Sequence, residues 1–218
     1  MPVITFSSAF GTGGSVVASG VAERLGWKLI NRLIPQEVAS SLSVPLEAAL
    51  AHDESSDSRI GRLFVRLSAQ FALDAAGHLP AGVFLDDESF RMQSEIYIRA
   101  IADDSDCVIV GRASAIVLAN LDAALHVRLD GDPGRRVVQA ANALKISTQE
   151  STLRLVEVDR ARALYVKHFY GRDWADPRLY HLVLDSTVLS LPTCVEIVLA
   201  AAANRFPEVD WSRNPGSD

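Results

Sequence analysis

Cysteine and surplus positive charge are both scarce in this 218-residue chain, which has only Cys107 and Cys194 and sets 21 Lys+Arg against 27 Asp+Glu. A net charge of -6 gives no global attraction to a nucleic-acid backbone or an anionic membrane, so neither is an expected partner. Any anion site must be built locally. The cysteines stand among valines, isoleucines and leucines, as buried small apolar residues do in a reducing compartment, and a disulfide framework is excluded. No apolar run approaches the ~20 residues of a membrane span. Residues 1–6 lack a basic leader, and the expectation is a cytoplasmic protein. His52, His78, His126, His168 and His181 show no metal-ligand spacing, and no G-x-S-x-G elbow offers a hydrolase nucleophile.

What the chain does have is enough apolar residue, 49%, for one substantial core. Val3 to Phe6 reads as a strand, followed by a helix carrying Val16, Val17, Val21, Ala22 and Leu25 and closed by Gly26. A short apolar segment, Trp27 to Ile30, leads to Asn31, placed to cap a helix running toward Ser41. Ile60, Leu63, Phe64, Leu67 and Phe71 recur at helical spacing over Arg59 to Ala76, and Asp86 to Ala102 is a further helical stretch. Cys107 to Val110 is continuously apolar and β-branched, like a strand buried on both faces of a parallel sheet. Ala124 to Leu129 is another strand, Asp132 and Pro133 open a helix, Thr148 to Tyr170 is a long charged helix, "RLYHLVLDS" holds a final strand, and Pro192 to Phe206 is the last helix. Strands alternating with helices predict an α/β fold with a mainly parallel sheet in a single domain over 1–206, with a mobile tail over 207–218.

Three features carry chemistry. Aligned with the phosphate loop G-x-x-x-x-G-K-[ST], Gly13 falls on the second glycine and Ser15 on the hydroxyl, but Ser8 stands at the first glycine and Gly14 at the lysine. Gly11, Thr12, Gly13, Gly14 and Ser15 can still present backbone N–H groups and a helix N-terminus to a phosphate; alternatively the glycines only permit a tight turn. Arg112 follows the buried strand of "VIVGR", on the ligand side of an open sheet, where it suits a substrate phosphate or pairs with a surface carboxylate. "VEVDRARALYVKHFYGRDW" concentrates Arg160, Arg162, Lys167 and Arg172, yet Glu157 with Arg160 and Asp159 with Arg162 are spaced to pair on a solvated helix.

Taken together, "FGTGGSVVASGVAERLG", "CVIVGRASAIVLA", "VDRARALYVKHFYGRDWADPRLYHLVLDS" and the proline-started last helix resemble the cytidylate kinase-like family, a branch similar to the nucleoside monophosphate kinases. The resemblance implies a three-layer P-loop fold with five parallel strands and helices on both faces. It also implies a substrate-side helical region over about 31–103 and a lid over about 148–177. It assigns Gly11, Thr12, Gly13, Gly14 and Ser15 to nucleotide phosphates, Ser15 to magnesium, Arg112 to the acceptor, Asp159 to the lid, and Arg160, Arg162 and Arg172 to catalysis. True cytidylate kinases have a lysine where Gly14 stands, an acidic residue where Val110 stands, and a fuller Arg-Asp motif where this chain has Val158-Asp159. The implied activity is an ATP- and magnesium-dependent phosphotransferase with a small acceptor, a nucleoside monophosphate such as CMP. The alternatives are a noncatalytic nucleotide-sensing module and a structural partner on the same fold, with the Arg59 to Ala76 helix either packing on the core or building a homodimer.

Overall fold

The computed structural model describes residues 1–30, 87–209 and 211. The helices expected after Asn31 and over Arg59 to Ala76 lie outside the described residues. Five parallel strands form one sheet in the order β2-β3-β1-β4-β5. They are β1 (Val3–Ser8), β2 (Lys28–Ile30), β3 (Cys107–Val110), β4 (Ala124–Asp130) and β5 (Leu182–Asp185). The helices are α1 (Gly14–Leu25), α2 (Asp87–Asp104), α3 (Ser114–Val117), α4 (Pro133–Leu144), α5 (Thr148–Tyr170) and α6 (Leu191–Arg205).

The two-residue period of β1 sorts its side chains between the faces of the sheet. Ile4 and Phe6 join Val17 and Val21 of α1 and Cys194, Val198 and Ala202 of α6. Val3 joins Ile98 and Ile101 of α2 and Val117 of α3 on the opposite face. Apolar burial on both sides is what requires the near-continuous Val and Ile of the strands. Each such side chain, fully buried, stabilises the fold by roughly 1.5–3 kcal/mol. Local signals agree with this packing: Gly26 ends α1 in the left-handed conformation, Asp132 accepts from the Arg135 N–H ahead of Pro133, and Ser147 and Ser190 cap α5 and α6.

The strand order places the crevice. The chain leaves β1 toward β2 on one side, whereas β3 leads through α3 to β4 on the other, so the carboxyl ends of β1 and β3 flank a switch point. Ser8, Val110 and Asp130 end the strands around it. Beyond Pro207, Val209 and Trp211 pack against the α1/α6 side of the core, and the Trp211 indole donates to the Phe206 carbonyl at 3.0 Å; the rest of the expected tail, 212–218, lies outside the described residues. Among the described residues no helix is long and apolar enough to cross a membrane.

Candidate functional site

The loop between β1 and α1 is held by its carbonyls. The Ser8 carbonyl accepts from Arg162 Nη1 at 2.6 Å, the Ala9 carbonyl from the Thr12 hydroxyl at 2.7 Å, the Phe10 carbonyl from Arg136 Nη1 at 3.2 Å, and the Thr12 carbonyl from the Ser186 hydroxyl at 2.8 Å. Gly11 and Gly13 adopt the left-handed region, with φ of 81° and 69°. Gly13 caps α1 with no side-chain hydrogen bond, and the first turn carries no acidic residue. The N–H groups of Ala9, Phe10 and Thr12 are bonded to the Leu129 carbonyl, Asp159 and the Ala9 carbonyl, whereas a helix start without a side-chain cap leaves its first donors, at Gly14 and Ser15, for a ligand. Ser15 is exposed at the start of the helix.

Behind the loop lies a cluster of guanidiniums that the sequence scatters over three elements. Asp159 of α5 accepts from the Phe10 N–H at 2.8 Å and from Arg136 Nη1 of α4 at 2.6 Å. Its expected partner Arg162 is 3.8 Å away. Arg128, buried on β4, pairs with Asp130 at 2.8 Å and stacks 4.1 Å from the centre of the Trp174 ring. The Ser7 hydroxyl accepts from the Trp174 indole at 3.0 Å and lies 3.1 Å from the Tyr180 hydroxyl, which donates to the Trp174 carbonyl at 2.9 Å. Burial lowers the pKa of Arg162 to about 10; Asp159 opposes the shift, and Arg128 and Arg136 add to it. A desolvated cation repelled by two others is stabilised by an approaching anion.

Across the switch point, the chain after β3 runs through three successive left-handed residues, Gly111, Arg112 and Ala113, with φ of 76°, 56° and 53°. Burial lowers the pKa of Arg112, opposed by Tyr165 of α5. Burial likewise raises the pKa of Tyr165 and Tyr170, whose rings meet edge-on with centres 6.1 Å apart, and Glu95 of α2, paired with Arg91, adds to both shifts. Arg162 and Arg112 therefore border the same crevice from opposite sides, whereas Arg160 and Arg172 are exposed.

The sequence pattern of the cytidylate kinase-like family matches residues 3–188. The chain belongs to that family. No curated protein matches it. Among solved structures, an uncharacterized protein from Eubacterium ventriosum superposes with a TM-score of 0.66 at 16% identity, covering 93% of this chain and 98% of that one. A shikimate kinase from Bacteroides thetaiotaomicron gives 0.51 at 11% identity, covering 92% and 97%. A gluconokinase from Sinorhizobium meliloti gives 0.50 at 12% identity, covering 96% and 98%. At these identities the likeness is one of fold, and it agrees with the all-parallel five-stranded sheet.

For this cytidylate kinase-like chain, sequence reasoning missed Arg128, Arg136, Trp174 and Tyr180. Arg136 follows the helix-opening "DGDPG" directly after a strand, the same strand-end logic that singled out Arg112. Nothing in the sequence announces the Ser7 to Trp174 bond, which joins residues 167 positions apart.

Proposed function

We propose that this chain is an ATP-dependent phosphotransferase whose acceptor is a small molecule carrying an anionic group, with a nucleoside monophosphate such as CMP the first candidate. The observation that carries the reading is the loop, with its carbonyls at Ser8, Ala9, Phe10 and Thr12 held by protein donors and the Arg162 guanidinium seated on the first of them. The residues present fit a polyphosphate: an uncapped helix start, left-handed glycines and a buried cation all favour anions. The backbone of Gly11, Thr12, Gly13, Gly14 and Ser15 would hold the phosphates of ATP, and the Ser15 hydroxyl would hold magnesium. ATP with magnesium would supply the phosphoryl group to be moved.

The remaining roles belong to side chains of this chain. Arg162 supplies the positive charge that a loop lysine provides elsewhere, and Arg160 and Arg172 add to it from their exposed positions in the lid over about 148–177. Asp159 orients Arg162 and Arg136 against the loop. Arg112 binds the acceptor's anionic group, which CMP presents as phosphate and which shikimate and gluconate present as carboxylate.

Incubating the full chain with ATP, magnesium and a panel of CMP, UMP, shikimate and gluconate, and following ADP release, tests this. Transfer to one acceptor is expected, with Arg162→Ala slowing it by about ten- to a thousandfold. Saturable ATP binding without transfer to any acceptor would favour instead the nucleotide-sensing module, a reading supported by Gly14 in the lysine position. Absence of ATP binding would overturn both.

A further inference from the structure

The loop departs from the lysine-bearing pattern at two positions, Ser8 and Gly14, which are six residues apart in sequence and in contact in space. A Cβ built on Gly14 meets both the Cβ and the Oγ of Ser8 at 2.4 Å, well inside the distance at which carbon atoms touch. Gly14 is buried at the first turn of α1, and its backbone is not in the left-handed region. Glycine is required there by space and not by conformation.

Residue 8 also ends β1, and its carbonyl is the one that receives Arg162 from α5, 154 residues away. One residue therefore does two things: its side chain fills the volume from which a side chain at position 14 would start, and its carbonyl seats a guanidinium. A glycine in the first position, as the lysine-bearing pattern has, carries no Cβ or hydroxyl to occupy that volume and so leaves it open to a side chain at the lysine position.

We propose that Ser8 is the positioning residue that excludes a lysine from this loop and fixes α5, through Arg162, as the source of its cation. The two arrangements are mutually exclusive on steric grounds. The part concerning the cation rests on the nucleotide reading of the loop; the steric part does not. Because the guanidinium is seated on the loop before any ligand arrives, its loss affects ATP affinity as well as rate.

The test separates the two parts. In the full chain, Gly14→Ala adds only a Cβ, so with Ser8 present it should lower the melting temperature by about 3–10 °C, the effect of overpacking a tight site. With Ser8→Gly already in place, the same substitution should instead raise the melting temperature by about 1–4 °C, because an unfolded chain with alanine has less conformational entropy to lose than one with glycine. A sign reversal between the two backgrounds is the expected result. Equal effects of Gly14→Ala in both, or no loss with Ser8 present, would overturn the steric exclusion.

The second arm measures binding of ATP with magnesium. Arg162→Ala should weaken it by about tenfold or more in the natural loop, yet by less than about threefold in a Ser8→Gly, Gly14→Lys background where a lysine has taken over. Equal losses in both backgrounds would show that Arg162 does not stand in for the lysine. If no form binds ATP, the assignment of the cation falls together with the nucleotide reading, while the stability result still decides whether Ser8 keeps side chains out of position 14.

Discussion

Two turns border the crevice, and both bend through left-handed backbone. The turn after β1 does so with Gly11 and Gly13; the turn after β3 does so with Gly111 followed by Arg112 and Ala113. Glycine occupies this region freely, whereas each residue with a Cβ there costs about 1–2 kcal/mol. The first turn is thus relaxed and fastened by hydrogen bonds to its carbonyls, and the second is strained and fastened by backbone bonds, from the Gly111 N–H to the Phe6 carbonyl at 2.8 Å and from the first turn of α3 to the Gly111 and Ala113 carbonyls. Backbone strain persists where the surroundings over-determine it. The strained turn sets Arg112 at the carboxyl end of β3, whereas the relaxed one is built of backbone that glycine leaves bare.

Breaking the fastening of the first turn should have the largest effect. Asp159→Ala removes the carboxylate shared by the Phe10 N–H and the buried Arg136, leaving an unpaired cation and an unsatisfied donor. A loss of about 3–5 kcal/mol in unfolding free energy is expected by urea denaturation. A loss below 1 kcal/mol would mean that the loop is held by other contacts.

Acid should act next, and on both turns alike, since it acts on the sheet that carries them. His126 of β4 is buried against the Thr5 hydroxyl at 2.8 Å and stacked on His181. Burial first and His181 second lower its pKa to about 4. Between pH 4 and 6.5 the unfolded chain therefore binds more protons than the folded one. Stability present above pH 6.5 is lost as pH falls through that window, by up to about 1.4 kcal/mol per pH unit from this group. Urea midpoints of the natural protein and of His126→Gln at pH 7 and pH 5 should show the flatter dependence in the variant; parallel curves would assign the acid sensitivity elsewhere.

Smaller effects sharpen the contrast on the β3 side. Arg112→Ala should change stability by no more than about 1 kcal/mol, because the lost contacts are offset by relief from burying a cation, while acceptor binding measured by calorimetry falls by about tenfold or more. Large destabilisation with unchanged acceptor affinity would make Arg112 a structural residue. Smallest of all, Ala113→Gly should raise the unfolding free energy by about 1 kcal/mol by removing a Cβ from a left-handed position. Gly11→Ala should do the reverse, since an added Cβ meets the Arg136 carbonyl oxygen at 2.4 Å.

The same contrast explains how much of this was legible in the sequence. The sequence reading of β3 at Cys107–Val110 and of α5 at Thr148–Tyr170 matches the observed limits, because an unbroken β-branched run and a long charged helical stretch are local signals. Gly26 as the end of α1 and Pro133 as the opening of α4 were equally local. The four-residue helix α3 went unread, being too short to show a period. In the site, the glycines and Arg112 could be picked out from their place after strands, but their fastening could not. The spacing of Asp159 and Arg162 predicts a pair, and they do lie 3.8 Å apart, but the carboxylate is held more closely by Arg136, 23 residues back, and the Phe10 amide, 149 residues back. Helical spacing describes what two side chains of one helix can reach, not which third element is nearer.

Asp159, Arg162 and Tyr165 follow one another at three-residue steps along α5, so at 1.5 Å per residue about 9 Å of a single rod carries the bonds to the first turn at one end and, at the other, the tyrosine whose electrostatics oppose the pKa shift of Arg112. Just past the end of that rod, Trp174 is bonded to Ser7, the neighbour of the residue that seats Arg162. The end of β1 is thus clasped at Ser7, Ser8 and Phe10 by one helix and the residues that follow it, so the last third of the chain sets the shape of a turn made by its first ten residues.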